Sequence, residues 1–580
     1  MGLYVADFET TTTLDKTRVW AYAICDINNT ENVIVGNTID DFISWCKDSK
    51  ENDVIYFHNL KFDIQFIIYY LLKNGYEHVT EKKDRKTRTF TTLISDKGLF
   101  YSLEIIFTKD NKHINKVTFL DSYKLIPLSV DAMAKALHLP INKLSIDYDS
   151  HNNLPEGAPL SKEEIDYVTN DVKIVAMAIK YFKEQGLDKM TIGSCALSEY
   201  KTIITKTNFK KYFPVPKYHA DVKQSYRGGF TYLNPKFEGK TVKEGIVLDV
   251  NSLYPSVMRY EPLPFGSPIF FEGKYKKDNI YPLYTQMFKC QFELKKGKIP
   301  TIQIRYGFGF RANEYLTSSG KSAVILCLNN IDLELFFNQY DVYNIEYISG
   351  WKFKSTLGLF DNYIDKWSNN KIQAKKDGNH GLYLISKLFL NSLYGKFGTD
   401  IKVKGKIPYL EDDIVKYKTI DEKDREGVYV AMASFITSYA RRKTILSAQK
   451  IMDNYNEGKS NIEFIYADTD SLHCLSPKYE LPEGLDIDPV KLGAWKYESK
   501  FRKAKFLRQK CYIEDSTEDI YNDNPEYKLK ITVAGMPKEC YPYVNFSNFK
   551  IGASYKGKKQ PKNTIGGVVL NNVDFTIKKL

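Results

Sequence analysis

The sequence predicts a multidomain chain of α/β and α+β units, and three observations carry that prediction. The chain is 580 residues long, which at about 150 residues per domain allows roughly four units. Residues 1–190 alternate strand patterns with helical ones. Beyond them, apolar strand patterns ending in acids are separated by helical stretches and by Gly-, Pro- and Tyr-rich blocks.

Taken in order, LYVADF, DVIYFHN and KVTFLDS read as strands, and FDIQFIIYYLL and YVTNDVKIVAMAIKYF as helices. Between them, DYDSHNNLPEGAPLSKEE (147–164) reads as a loop, with Ser161 opening the last helix. Residues 190–260 hold a helix and then strands around YRGGFTYLNP and GIVLDVNSLYP. The block 261–358 reads as an inserted β-containing module. Residues 359–397 are strongly helical, with Gly378 arguing against one unbroken helix. KVKGKIPYLEDDIVKYKTI (402–420) reads as a small hairpin insertion. Helix returns at MASFITSYARRKTILSAQKIM, followed by the strand pair IEFIYADTDSLHCL. The end, 530–580, reads as short strands and a basic segment, YKGKKQPKNTIGG.

The formal net charge is +12, with 43 Tyr and 34 Phe. A basic surface interleaved with aromatics suits a polyanion with stackable bases. Residues 491–512 concentrate the excess: eight Lys/Arg, one acid (Glu498) and five aromatics. They read as a phosphate-contacting surface on structured elements. The eight cysteines form no CxxC pair, which argues against a structural zinc site. No apolar run reaches the ~18 residues of a membrane span, so a reducing cytoplasm is expected and no membrane.

Two acidic pairs ask for an explanation. Asp7 and Glu9 stand two apart in LYVADFETTT, as do Asp468 and Asp470 in IEFIYADTDSLHCL. Strand side chains at i and i+2 share a face. At ~4 Å and an effective dielectric of ~20, two like charges repel by roughly 4 kcal/mol. A shared proton, a basic partner or a metal ion must offset that. For the first pair, FHNLKFD offers Asp63, and YVTND offers Tyr167 and Asp171 on one helix face. Asp7, Glu9, Asp63 and Asp171 could surround two hard cations, Mg²⁺ or Mn²⁺. Tyr167 could then orient a water, and Lys143 neutralise a scissile phosphate. For the second pair, Asp249 closes the strand pattern GIVLDV, and the carbonyl of Val250 could add an uncharged oxygen ligand.

Further residues surround the second pair. In SKLFLNSLYGKF, Lys387, Asn391 and Tyr394 form one helical stripe, suited to a triphosphate with a base pair beside Tyr394. Lys371 could add charge from upstream. In YRGGF, Tyr226 and Arg227 precede Gly228 and Gly229, which permit φ > 0 and close approach of a nucleic-acid strand. KCY closes the basic run, with Lys510 within reach of a primer phosphate or 3′ end and Tyr512 beside it. Asp332 and the segment 556–562 are weaker candidates for protein or DNA contact, each also readable as solvated surface.

DFETT, NLKFD and YVTND, in that order, resemble the motifs of DEDDy-type 3′–5′ proofreading exonucleases. DVNSLYP, KLFLNSLYG, YADTDS, KCY and YRGGF resemble motifs A, B, C, Lys-x-Tyr and the module-linking segment of family B DNA polymerases. The whole set is closest to the protein-primed enzymes of the phi-twenty-nine phage type. The resemblance implies a ribonuclease H-like exonuclease domain (1–189), then palm (190–260), a first insertion (261–358), fingers (359–397), a second insertion (398–426), palm again (427–530) and thumb (531–580). It assigns His58, Asn59, Phe62, Phe66 and Ser122 to an unpaired 3′ end, with Tyr123 standing where the related enzymes carry Leu. It makes Tyr254 the residue under the sugar that excludes a ribose 2′-OH. It implies two metal ions per centre, primer-template DNA and dNTPs as substrates, a priming terminal protein, strand displacement, a monomer, and the cytoplasm of an infected bacterium.

Overall fold

A computed structural model of the chain describes residues 2–49, 52–110, 113–214, 219–306, 309–421, 423–424 and 428–579. The blocks expected at 190–260, 261–358, 398–426 and 427–530 thus each include a few residues outside the description. Among the described residues the N-terminal unit is built on an eight-stranded sheet. Strand Leu3–Thr10 runs antiparallel to Val19–Asp26 and parallel to Asp53–Phe57, which runs parallel to Ile114–Asp121. Near-continuous apolar runs such as VWAYAIC make strands buried on both faces. Helix Lys162–Glu184 packs across the first two strands. Its start is a capping box, in which the Ser161 hydroxyl accepts from the Glu164 N–H and the Glu164 carboxylate accepts from the Ser161 N–H. Val168, Val172, Val175, Ile179 and Phe182 recur at helical spacing on the buried face, each contributing about 1.5–3 kcal/mol when fully buried. The same period turns Tyr167 and Asp171 toward the sheet.

The second large sheet has seven strands among the described residues. Thr241–Val250 lies between Ser471–Leu475 and Trp495–Arg508, so residues remote in sequence become neighbours. Helix Val430–Asn456 covers this sheet and is buried on nearly every face, through Met432, Phe435, Ile436, Tyr439 and Ile445 among others. Within the block 261–358, the 17-residue strand Tyr340–Thr356 pairs with Leu263–Glu272 and Leu283–Leu294. The helical stretch 359–397 divides into Asp361–Lys376 and His380–Phe397, with Gly378 at φ +66° between them. The two helices fold back on each other: the Trp367 and Phe389 rings stand 4.4 Å apart, and the Tyr363 hydroxyl donates to the Phe389 carbonyl at 3.0 Å.

Two hairpins complete the fold, Lys406–Glu411 with Ile414–Thr419 and Ser554–Thr564 with Gly567–Thr576. They meet each other, Asn563 Nδ2 donating to the Val415 carbonyl at 2.7 Å. Both also meet the N-terminal unit. Thr17 N–H donates to the Ile565 carbonyl at 2.9 Å, and the Tyr417 hydroxyl donates to Gln65 at 2.6 Å. Val415 and Val568 belong to the same buried apolar cluster as Phe57, Phe66 and Phe119. That N-terminal core is therefore finished by side chains from two distant parts of the chain.

The basic run 491–512 differs from the expected open surface. Most of it is the strand Trp495–Arg508, which buries Trp495 and Phe501 and, beyond a register shift between Phe501 and Lys503, Phe506, with Tyr512 buried on the next strand. Lys500 is buried too, its Nζ donating to the carbonyls of Ile520 and Asn522 at 3.0 and 2.8 Å. These aromatics are sheet core and do not present faces to bases.

Candidate active site

The first acidic centre follows from strand geometry. Asp7 and Glu9 lie within Leu3–Thr10, paired with Ala23 and Ala21, so they do share a face, and the opposing small side chains leave room above it. Asp63 stands at the start of helix Ile64–Lys73, and Asp171 comes in from helix Lys162–Glu184. All four acids, with Lys143 and Tyr167, line one cleft. Lys143 Nζ donates to Asp171 and lies 3.3 Å from the Tyr167 hydroxyl. Tyr148, which sequence reasoning missed, brings its hydroxyl within 3.1 Å of that of Tyr167; a tyrosine in an irregular loop gives no periodic signal.

Electrostatics here are severe. Burial, then the neighbouring Asp171, pushes the Asp7 carboxyl up to about 7. Burial and Asp7 hold Glu9 and Asp63 well above the carboxylate range. Burial raises Asp171 as well, although Lys143 opposes it. Burial works against the Lys143 ammonium, but Asp171 outweighs it and the pKa is raised. One carboxylate oxygen of Asp171, Oδ1, is buried with no hydrogen-bond partner among the described residues.

The predicted 3′-end residues divide. Asn59 and Phe62 line the cleft beside His58. Both His58 nitrogens are engaged inside the protein, Nε2 with the Leu128 carbonyl at 2.7 Å and Nδ1 with Ser122 Oγ at 3.0 Å. Ser122 is fully buried and donates to the Phe57 carbonyl, and Phe66 is core packed against Gly567. Neither can touch a strand directly. Neither is among the residues lining the cleft. Tyr123 is exposed and sets its ring edge-on to His58.

The second centre is reached differently from the expected i, i+2 strand pair. Strand Glu463–Asp468 ends at Asp468, which pairs with Ser471, so Thr469 and Asp470 form the hairpin turn. Thr469 takes φ +61°, a left-handed conformation costly for a β-branched residue. Three hydrogen bonds hold it. The Thr469 N–H donates to the Phe230 carbonyl at 2.6 Å, its carbonyl accepts from Thr444 Oγ1 at 2.7 Å, and the Val250 N–H donates to the Asp470 carbonyl at 2.7 Å. The last bond ties the turn to the strand end that carries Asp249. Burial, then Asp470 and Glu498, pushes Asp249 up to about 7, and burial raises Asp470. Lys510 Nζ donates to Asp468 at 2.7 Å, and the Tyr466 hydroxyl donates to Asp468 at 3.2 Å while accepting from the Lys510 N–H at 2.9 Å. Lys530 and Glu498 share this cleft with Asp249, Asp468 and Asp470.

Among the described residues no three His, Cys, Asp or Glu side chains stand in ready coordination geometry. A lysine instead bridges into each centre, Lys143 at one and Lys510 at the other. The donors are all oxygen, and the unpartnered Asp171 oxygen and mutually repelling carboxyls fit hard divalent cations.

Around the second centre, the Tyr254 and Tyr394 rings stack at 4.0 Å and 28°. Lys387 and Asn391 are exposed on the same helix as Tyr394. The helical hairpin, not one long helix, delivers Lys371. Its Nζ lies 3.5 Å from Ser252 Oγ, and burial followed by Lys387 lowers its pKa.

YRGGF works against protein more than expected. Neither Gly228 nor Gly229 takes positive φ. A Cβ on Gly229 would come 2.5 Å from Thr469 Oγ1, so glycine is needed for packing on the acidic turn, whereas a Cβ on Gly228 would meet nothing within 4 Å. Tyr226 packs over Gly398. Arg227 is buried, 3.9 Å from the Asp332 carboxylate, and cannot lie along a DNA backbone. Asp332 is buried as well, against both surface readings, and receives hydrogen bonds from Ser438 and Arg441. Arg441 also donates to the carbonyls of Arg227 and Gly228 at 2.8 and 2.7 Å. A lone guanidinium on the buried side of an apolar helix was the available signal for it. Tyr512 is buried and stacks on Phe506, while 556–562 lies on the C-terminal hairpin, where Lys556, Lys559 and Lys562 are exposed.

A family model described as DNA polymerase type B, organellar and viral, matches residues 46–156 and 151–480. The DNA polymerase of Bacillus phage M2 is 43% identical over 597 residues, covering 99% of this chain and 99% of that protein. The DNA polymerase of Bacillus phage phi29 is 43% identical over 590 residues, again with 99% of each covered. A solved structure of phi29 DNA polymerase complexed with primer-template DNA and incoming nucleotide substrates superposes with a TM-score of 0.92, at 42% identity and with 100% of both chains covered.

Proposed function

The chain belongs to the type B DNA polymerases of organelles and viruses, in their phi29-like phage branch, and from that premise we propose how its two acidic centres divide the chemistry. It is a DNA-directed DNA polymerase. In our reading, residues 1–189 are a 3′–5′ exonuclease domain. The polymerase body follows as palm (190–260 and 427–530), fingers (359–397) and thumb (531–580), with insertions at 261–358 and 398–426. The carrying observation is that Asp249 is hydrogen-bonded through its neighbour Val250 to the turn that holds Asp468 and Asp470.

DNA polymerases work with divalent metal ions. We assign two Mg²⁺ or Mn²⁺ to each centre, where they supply Lewis-acid activation of the attacking oxygen and charge at the leaving one. Asp249 and Asp468 hold them in the polymerase centre, with Asp470 and the Val250 carbonyl in support. Lys387 and Lys371 bring positive charge to the triphosphate, where it counts most as negative charge moves. Asn391 stands between them and Tyr394. Tyr254, braced by Tyr394, packs under the sugar and blocks a 2′-hydroxyl. Lys510 reaches from Asp468 to the primer end. In the exonuclease centre Asp7, Glu9, Asp63 and Asp171 are the ligands. The Tyr167 hydroxyl orients a water, and Lys143 balances the scissile phosphate. Asn59 and Phe62 face the unpaired 3′ end.

A ternary structure of the phi29 enzyme holds primer-template DNA and nucleotides, and we extend both substrates to this chain. We further assign priming by a terminal protein seated on 261–358, strand displacement aided by 398–426, a monomeric state and work in the cytoplasm of an infected bacterium. The contacts among the two hairpins and the N-terminal unit support a closed path around DNA. Incubation with a candidate terminal protein, labelled dATP and Mg²⁺ tests the priming step. A covalent protein–nucleotide adduct is expected, and extension of DNA primers without any adduct would leave a polymerase that is not protein-primed.

A further inference from the structure

Away from both acidic centres, a hollow of about 1530 Å³, counting its open mouth, lies between helices Ile192–Ile204 and Lys206–Tyr212 and the end of helix His380–Phe397. Four lysines, Lys201, Lys206, Lys210 and Lys396, surround the rings of Phe209 and Phe213, and among the described residues lining it none is acidic. Its inner volume of about 730 Å³ lies within the ~300–1,000 Å³ of an ordinary small-molecule pocket, so the chemistry of the lining, not size, selects the occupant. Lysines set around aromatic faces are what an unpaired nucleic-acid strand requires, since phosphates take the charge and bases stack on the rings. Phe209, half-buried, is the ring left for a base to stack on; it rests edge-on at 5.1 Å against Phe213, which is core, and Lys201 Nζ lies 4.5 Å from the Phe209 ring centre. Lys396 is anchored through Ser194 Oγ at 2.9 Å, while Lys206 and Lys210 are exposed.

Which strand it takes follows from its position. Lys396 comes two residues after Tyr394, about 200° around the helix, so the hollow opens on the side away from the nucleotide-facing stripe. In the polymerase reading above the template pairs at that stripe, which puts it across the helix from the hollow. Phe397 and Val428, which also line the hollow, are where the chain leaves for the second insertion and returns from it. We propose that the hollow holds the DNA strand displaced ahead of the enzyme, guiding it off the duplex as a single strand. The inference rests on the strand-displacing polymerase reading above.

The test compares extension of one primer on a single-stranded circle with extension on the same circle carrying a downstream blocking oligonucleotide. The surface double variant Lys206→Ala/Lys210→Ala and the single variant Phe209→Ala are each measured at 0.15 M salt. The double variant is expected to match wild type on the open circle and to pass the block roughly five- to tenfold more slowly, and Phe209→Ala to do the same. Because the two lysines are exposed, their variant serves where Phe209→Ala fails to fold. Equal slowing on both templates would assign the hollow to the template strand and overturn the inference. Wild-type rates on both would overturn it too. A wild-type enzyme that stops at the block would instead remove strand displacement from the functional reading, and this inference with it.

Discussion

The N-terminal acidic centre is the more deeply buried of the two and the centre of Asp249, Asp468 and Asp470 the less, though both gather carboxylates from sequence-remote elements. In the first, Asp7 and Glu9 sit inside a central strand, and a loop bearing Lys143 and Tyr148 closes over them. In the second, Asp468 ends a strand and Asp470 lies in the half-buried hairpin turn that follows, whose shape depends on hydrogen bonds from three other segments. The same like-charge problem has two solutions. Burial makes the first centre a strong proton trap until cations arrive. In the second a turn, not a strand, carries Asp470, at the cost of a left-handed conformation at Thr469.

The largest expected effect tests whether the centres are independent. Asp468→Ala should lower primer extension by about 10³-fold and leave 3′ degradation intact, and Asp7→Ala should do the reverse. Loss of both activities in either folded variant would join the centres into one. Next in size are the bridging lysines. Lys143→Ala should cut exonuclease turnover by about 10–100-fold, and Lys510→Ala should cut extension less, because the Lys510 side chain is 48% exposed against 30% for Lys143. Single-turnover assays of both variants would reverse the comparison if Lys510 proved the more costly. Smaller again is the glycine pair. Gly229→Ala forces Cβ onto Thr469 Oγ1 and should cost about 1–3 kcal/mol, slowing extension while sparing degradation. Gly228→Ala should stay within about 0.5 kcal/mol. Thr469→Ala, which removes both Oγ1 and the Cγ2 that stands 2.7 Å from the same Cβ, should restore part of the loss in the Gly229→Ala background, and no recovery would mean that the clash lies elsewhere.

The smallest effect is on stability. Asp7 and Asp249 are raised to about 7 in the folded chain, above the ~3.9 of an unfolded aspartate. Between those values the folded state binds more protons than the unfolded one, so the stabilisation is present at low pH and is lost as pH rises through about 7. In chelator, Tm should therefore fall from pH 5 to pH 8, and the fall should shrink in Asp7→Asn and Asp249→Asn. Identical melting profiles for wild type and both variants would remove carboxylate repulsion as the cause. Divalent cations should flatten the wild-type profile.

Much of this was legible in the sequence because chemistry and pattern coincided. Alternation put Asp7 and Glu9 on one face of a strand and Asp249 near the end of another, and helical period paired Tyr167 with Asp171. Grouping the four N-terminal acids in one cleft rested on the order of DFETT, NLKFD and YVTND, since charge alone left each acid readable as a surface carboxylate. Burial of side chains next to those acids was not legible. Ser122, Arg227 and Tyr512 lie beside functional residues in the chain, yet satisfy partners within the protein. Tertiary partners such as the Leu128 carbonyl for His58, or Asp332 for Arg441, carry no local signal. The run 491–512 shows the converse error: its charge count masked a core strand.

The apolar cluster under the exonuclease centre bears on how the chain is made. Val415 and Val568 complete it, and at ~5–20 residues per second Val568 leaves the ribosome some tens of seconds after residue 190. During that interval the nascent N-terminal domain carries an unsealed hydrophobic seam. An exonuclease fragment cut at residue 189 would keep that seam permanently.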